Sequence, residues 1–292
     1  MAEKDITERL LASYNDVFAD IVNGCFAILG GGRPFRRVSP DELQDTGART
    51  MYKADGELHE QERDVAKLWR AGGAVICLLG LENQTAVDPD MPLRVFGYEG
   101  GDYRLQLTRK GPERYPVLTL VLYFGTERRW PEERTLLSRL KVPEALRLFL
   151  NDCRVNVLEA AWLTDEQASV FTSDFRIVVE YFRQIRQNGD FGGTAQEMEH
   201  VDAVLKFLEA ATGDRHFEVA QTLVGKGERV SMESVLGRVQ AKGREEGREQ
   251  VLFSLVDDGL ISLGVAAAKA NMSEAEFRAR MERDRRDRQN AQ

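Results

Sequence analysis

Glu82 and Gln84 close an apolar run in the stretch LLGLENQ, Leu78 to Gln84. Side chains alternate along a strand, so these two project together while Asn83 projects to the other face. Asp64 lies upstream and becomes their neighbour if two antiparallel strands join through RAGGA, Arg70 to Ala74. Two carboxylates and one amide then share a sheet edge. With the main-chain carbonyl of Asn83, the carboxylates offer hard oxygens to Mg²⁺ (or Mn²⁺) and leave positions for water and a phosphate oxygen. Such an ion acidifies its water and neutralises charge at phosphorus. A residue two places past the second carboxylate can hold the attacking water. Lys there also adds charge; Gln orients water without it.

Spacing alone is a weak signal. An acid followed two places later by Lys or Gln arises by chance in nearly any chain of this length, and a solvated strand end explains it as well. The context is more telling: an apolar strand before Glu82, an acid upstream, then a helix and a second buried strand.

Those elements follow from periodicity. Residues 5–29 carry Leu10, Leu11, Tyr14, Val17, Phe18, Ile21 and Val22 at helical spacing. GGGRP, Gly30 to Pro34, ends that helix, and a polar segment follows. Asp64 to Trp69 fits either a strand or a helix. Ala74 to Leu81 is dense enough for a strand buried on both faces. Asp90 to Leu107 reads as a helix weakened by Gly97, Gly100 and Gly101. Tyr115 to Phe124 is the clearest strand, and Arg154 to Trp162 a further one. The remainder is helical, with a capping-box spacing at Thr164 to Gln167 and another at Ser273 and Glu276. The run GREEGREQ, Gly243 to Gln250, reads as a polar connection. Two short helices meeting near Asn271 span Asp258 to Met281, and the charged end RDRRDRQNAQ reads as disordered. The expected organisation is a mixed α/β core over 1–165, a helical extension over 166–240 and a helical tail over 241–292.

Composition narrows the function classes. The 292 residues are 42% hydrophobic and 30% charged with a formal net charge of -8, which argues against coating nucleic acid by overall charge. A local basic rim remains compatible, because only the Lys and Arg that touch phosphate count. The three cysteines sit in apolar contexts without zinc spacing and read as reduced core residues. No apolar run reaches about 18 residues and the N-terminus lacks a secretory h-region, so a cytoplasmic protein without a membrane span is expected.

As an ordered set, the motifs resemble those of the Rpn family, the recombination-promoting nucleases and their transposase-like relatives within the PD-(D/E)XK nuclease superfamily. The matching stretches are NDVFADIVN (15–23), RDVAKLW (63–69), LLGLENQ (78–84), DPDMPLRVFGYE (88–99) and PVLTLVLYFG (116–125). EGREQ (246–250) and GLISLGVAAAKANMSEAEF (259–277) extend the similarity over most of the chain. The resemblance implies a restriction-endonuclease-like core, a divalent metal and hydrolysis of DNA in the service of recombination. It makes Asp64 and Glu82 the metal ligands and sets Gln84 where most of the superfamily has Lys. It also makes Asp16 an additional acid near the metal, with Asp20 its rival. Arg63 stands where the superfamily has Pro. A catalytically weak DNA-binding accessory protein and a protein-interaction module that keeps the fold are the alternatives.

Other features are open to two readings. Arg94 in MPLR, at the start of the helix after Glu82, could meet a phosphate and supply the charge that Gln84 lacks, or be an ordinary paired arginine. GRPFRR (32–37), TRKGPER (108–114) and ERRWPEER (127–134) could rim a DNA surface, or be solvated loops. Trp130 could stack on a base or pack inward. The terminal helix pair carries too much acid for a groove reader, and packing or self-association through the helical C-terminal region is the expectation.

Overall fold

The computed structural model describes residues 9–46, 49–54, 57–108 and 113–290. The helix start expected over 5–8, residues 109–112 of TRKGPER and residues 291–292 lie outside the described residues. The fold is α/β, with a five-stranded mixed sheet and a helical C-terminal region.

The sheet grows from one hairpin. β4 (Val65–Ala71) and β5 (Ala74–Gln84) are antiparallel and joined by Gly72 and Gly73. Both glycines have positive φ, 58° and 84°, as a two-residue turn matching strand twist requires. The segment 64–69, ambiguous in sequence, is therefore strand from Val65 onward. The sheet order is β1-β4-β5-β6-β7, with β1 Leu43–Asp45, β6 Val117–Tyr123 and β7 Asn156–Glu159. β1 is antiparallel to β4, while β5, β6 and β7 run parallel. A separate hairpin of β2 (Arg49–Ala54) and β3 (Glu57–Glu62) occupies part of the stretch expected to be an irregular polar segment. β7 is shorter than expected, since Ala160–Trp162 turns into a 3₁₀ helix.

Helices cover both faces. α1 (Asn15–Leu29) is preceded by helical residues 9–13, so the single helix expected over 5–29 is interrupted at Tyr14. Tyr14 is extended, with ψ of 130°, and its ring stacks on His200 at 3.7 Å between centroids. α1 lies against the face carrying Lys67, whose ammonium donates to the Ser13 carbonyl at 2.7 Å and sits 5.7 Å from the Phe18 ring centre. Gly24 is required mid-helix because the Phe171 ring occupies the space of a β-carbon.

The parallel step from β5 to β6 needs a crossover, and α2 (Met91–Thr108) provides it over the opposite face. Its three glycines are tolerated because tertiary anchors hold the helix. The buried Arg63 guanidinium pairs with Asp102 of α2 and donates to Thr119 Oγ1 of β6 at 3.2 Å. It passes over Gly80, where a β-carbon would lie 2.8 Å from it.

The helical extension packs through aromatics. Phe124, just past β6, meets Phe182 at 5.1 Å and Phe175 at 6.3 Å, both on α4 (Phe175–Asn188). It meets Phe207 of α5 (Val201–Thr212) at 5.2 Å. α3 (Asp165–Ala168) carries the capping box read from Thr164 and Gln167.

By compactness the chain divides into Met1–Glu233 and Ser234–Gln292. The second unit has its own small core of Leu252, Phe253, Ala266, Ala267, Phe277 and Met281. Helix 232–257 runs unbroken through GREEGREQ, so the expected polar connection is helix. Its Gly243 and Gly247 face open space, and the Glu and Arg residues around them are good helix formers. Leu263–Lys269 and Glu274–Asn290 follow, with Asn271 at φ 54° between them and Ser273 and Glu276 capping each other reciprocally. The charged end expected to be disordered is helical to Asn290, with Arg285 paired to Asp257. Among the described residues no helix is long and apolar enough to cross a membrane.

Candidate functional site

The position of Asp64 depends on a bulge. Ala71 pairs with Ala74 and Arg70 with Val75, but Trp69 pairs with Cys77, so Ile76 is an extra residue in β5. Beyond it Val65 faces Leu81, the last pair of the ladder, so Asp64 and Glu82 come level one step further on, close enough for the Asp64 charge to act on Glu82. Were every residue of β5 paired one to one from the turn, Asp64 would instead lie level with Leu81 and Arg63 with Glu82. The ladder stops at Val65, and the Asn83 N–H donates to Asp64 Oδ2 at 2.6 Å instead.

Glu82 is 2% exposed, at the buried end of the strand. Its Oε1 accepts from the Arg94 guanidinium, and the Gln84 amide stands 3.5 Å from the same oxygen. Its Oε2 is buried and accepts no hydrogen bond among the described residues. Burial, reinforced by the Asp64 charge, pushes the Glu82 carboxyl up to about 8, although Arg94, Arg63 and Arg9 oppose the shift. Arg9 contributes a longer ion pair, 3.5 Å from its Nε to Asp64 Oδ1.

Arg94 sits in the first turn of α2 and is held by three groups. Besides Glu82, it donates to Asp88 at 2.8 Å and to the Tyr98 hydroxyl at 3.0 and 3.3 Å. Burial disfavours its charge, yet the hydrogen bond to Asp88 and the Glu82 carboxylate hold it protonated above the usual arginine range. Burial, with Glu82 beside it, likewise raises the Tyr98 hydroxyl.

Asp64, Glu82 and Gln84 are thus brought together, with Arg94 among them. The donor set is entirely oxygen, two carboxylates and a nearby backbone, and one buried carboxylate oxygen receives no hydrogen bond among the described residues. That chemistry fits a hard divalent cation rather than zinc.

Asp16 is not part of this arrangement. It lies on α1, the helix on the opposite face, and contacts His200 Nε2 at 2.9 Å. Asp16, Glu199 and His200 place ligand-type atoms within 4.8 Å of one another, but Glu199 is exposed and pairs with Arg229, and Asp16 is only half-buried. Asp20 is committed to the backbone, accepting from Thr172 and Ser173 N–H at 2.9 and 2.8 Å.

Several arginines of the basic clusters are engaged within the fold. Arg36 binds Glu42, Arg134 binds Glu159 at 2.9 Å, and Arg129 lies 5.2 Å from the Trp162 ring centre. Trp130 is buried edge-on to Tyr123 at 5.2 Å, which removes it as a base-stacking platform. Arg9 and Tyr98 are neighbours of the site that the sequence does not announce: Arg9 lies outside the matching stretches, and Tyr98, inside DPDMPLRVFGYE, carries no metal-ligating group of its own. No protein-family model, curated protein or solved structure matches the chain.

Proposed function

We propose that this chain is a divalent-metal-dependent DNA endonuclease of the Rpn type, with its mixed sheet arranged as in restriction endonucleases. The observation that carries the reading is the pair Asp64 and Glu82, level with each other and with one Glu82 oxygen buried and unsatisfied. Arg94 and Arg9 compensate part of this charge, and the open Glu82 Oε2 beside Asp64 suits a further cation. DNA as the substrate rests on the ordered motif set. Asp64 and Glu82 would hold Mg²⁺ or Mn²⁺ together with the Asn83 main-chain carbonyl. When bound, the ion supplies Lewis-acid stabilisation of the phosphate and acidifies its water. Gln84 orients the attacking solvent, and burial of Glu82 under α2 keeps bulk water from the ligand oxygens. Asp16 serves the α1–His200 contact instead.

The test is relaxation of supercoiled plasmid. Wild type should nick in Mg²⁺ or Mn²⁺ and stop in chelator. Asp64→Asn should lose about a hundredfold or more in rate, in line with the several kcal/mol a metal contributes. Asp16→Asn should nick like wild type. Equal nicking by wild type and Asp64→Asn would remove the assignment. The second reading, an inactive DNA-binding accessory protein, is favoured by Gln84 standing in for Lys; salt-sensitive DNA binding without divalent-ion binding would establish it.

A further inference from the structure

We propose that Arg94 is an exchangeable partner of Glu82, bonded to its Oε1 in the metal-free protein and turning to the substrate phosphate when a metal enters. This rests on the metal reading above and adds the regulation of that site.

Three observations support the exchange. Arg94 Nη2 bonds the carboxylate oxygen Oε1 of Glu82, the same group that a metal would claim. A guanidinium and a divalent ion on one carboxylate repel each other at short range in a poorly solvated setting, so one must yield. Glu82 cannot move, because its side chain is 3% exposed and sits on a central strand. Arg94 can, because its side chain is 39% exposed and springs from the first turn of a helix.

The remaining contacts determine where it goes. Asp88 at 2.8 Å and the Tyr98 hydroxyl at 3.0 Å stay as partners after Glu82 is released, so the guanidinium pivots at the mouth of the site rather than leaving it. A planar fork of N–H donors there matches phosphate geometry. It returns the positive charge that Gln84, 3.5 Å from Glu82, does not carry. Metal affinity is then set partly by the fraction of molecules in which Arg94 has swung away. A phosphate that attracts Arg94 raises that fraction, so DNA and metal bind cooperatively.

The experiment measures Mn²⁺ binding by calorimetry or by loss of the free-ion EPR signal, with and without a DNA duplex, beside plasmid nicking at saturating Mn²⁺. Arg94→Met keeps length and removes charge; Arg94→Gln keeps a donor without charge and serves if the first variant folds poorly by circular dichroism. The expected result is DNA-free Mn²⁺ affinity about tenfold or more above wild type, together with slower nicking. DNA should tighten Mn²⁺ binding to wild type and lose that effect in the variants. Unchanged or weaker DNA-free affinity overturns the exchange, and tighter binding with undiminished nicking overturns the phosphate role. Absence of Mn²⁺ binding by wild type and both variants overturns the metal reading itself.

Discussion

Glu82→Gln should slow metal-dependent nicking by about a thousandfold and, in the same molecule, make the metal-free fold more stable at pH 8. The first effect follows, on the proposed reading, from removing one of two carboxylates that would hold the ion, a loss of roughly 4 kcal/mol in transition-state stabilisation. The second comes from burial. In the folded chain Glu82 keeps its proton up to about pH 8, whereas the unfolded chain releases it near the ordinary carboxylate value of about 4.3. Between those values the native state binds more protons than the unfolded one, so this group's contribution falls as pH rises, and stays low above pH 8. The amide has no proton to lose and carries no such penalty. Urea denaturation in chelator at pH 5 and pH 8 reads the effect: the gap between variant and wild type should widen at pH 8. Excess Mg²⁺ should narrow it by stabilising wild type alone. A gap independent of pH would mean that Glu82 is not held at high pKa.

Arg63→Ala should cost about 3–5 kcal/mol, since it leaves the Asp102 carboxylate buried without its guanidinium. The guanidinium joins α2 to β6, so the loss loosens the helix that also carries Arg94. A domain of ordinary stability, about 5–15 kcal/mol, would come close to unfolding. Arg36→Ala is the comparison, because the Arg36–Glu42 pair is exposed and worth about 0–1 kcal/mol. Replacing Arg63 and Asp102 together by Met and Leu should recover most of the loss. Urea midpoints decide the matter, and equal small shifts for Arg63→Ala and Arg36→Ala would refute a structural role for the buried pair.

Arg63 also illustrates how far sequence reading reached. At the place where the superfamily motif has Pro, it looked like a departure of little chemical weight; in the fold it is a buried anchor. What could be read was what local patterns dictate: the density of apolar residues in β5 and β6, the Gly72–Gly73 turn, the reciprocal caps at Thr164 and Ser273, and Glu82 with Gln84 on one face. Glu82 and Asp64 could be paired on paper, but the bulge that aligns them has no sequence signature, since Ile76 looks like any other strand residue. Asp16 was misplaced because helical periodicity says which face of a helix is apolar, not which face of a sheet that helix covers. The helix through Gly243 and Gly247 was missed because glycine was weighed as a breaker and the flanking Glu and Arg were not weighed as formers. The short β1 and the β2–β3 hairpin had too few apolar positions to register.

The extra residue at Ile76 makes the length of this hairpin as consequential as its composition. Pleating has a period of two, and the bulge absorbs one residue: losing one at Ile76 leaves the pairs from Trp69–Cys77 to Val65–Leu81 in place, whereas gaining one must widen the bulge or slide the ladder. A chain one residue shorter at the bulge should therefore keep the pairing, while one with an added residue should not.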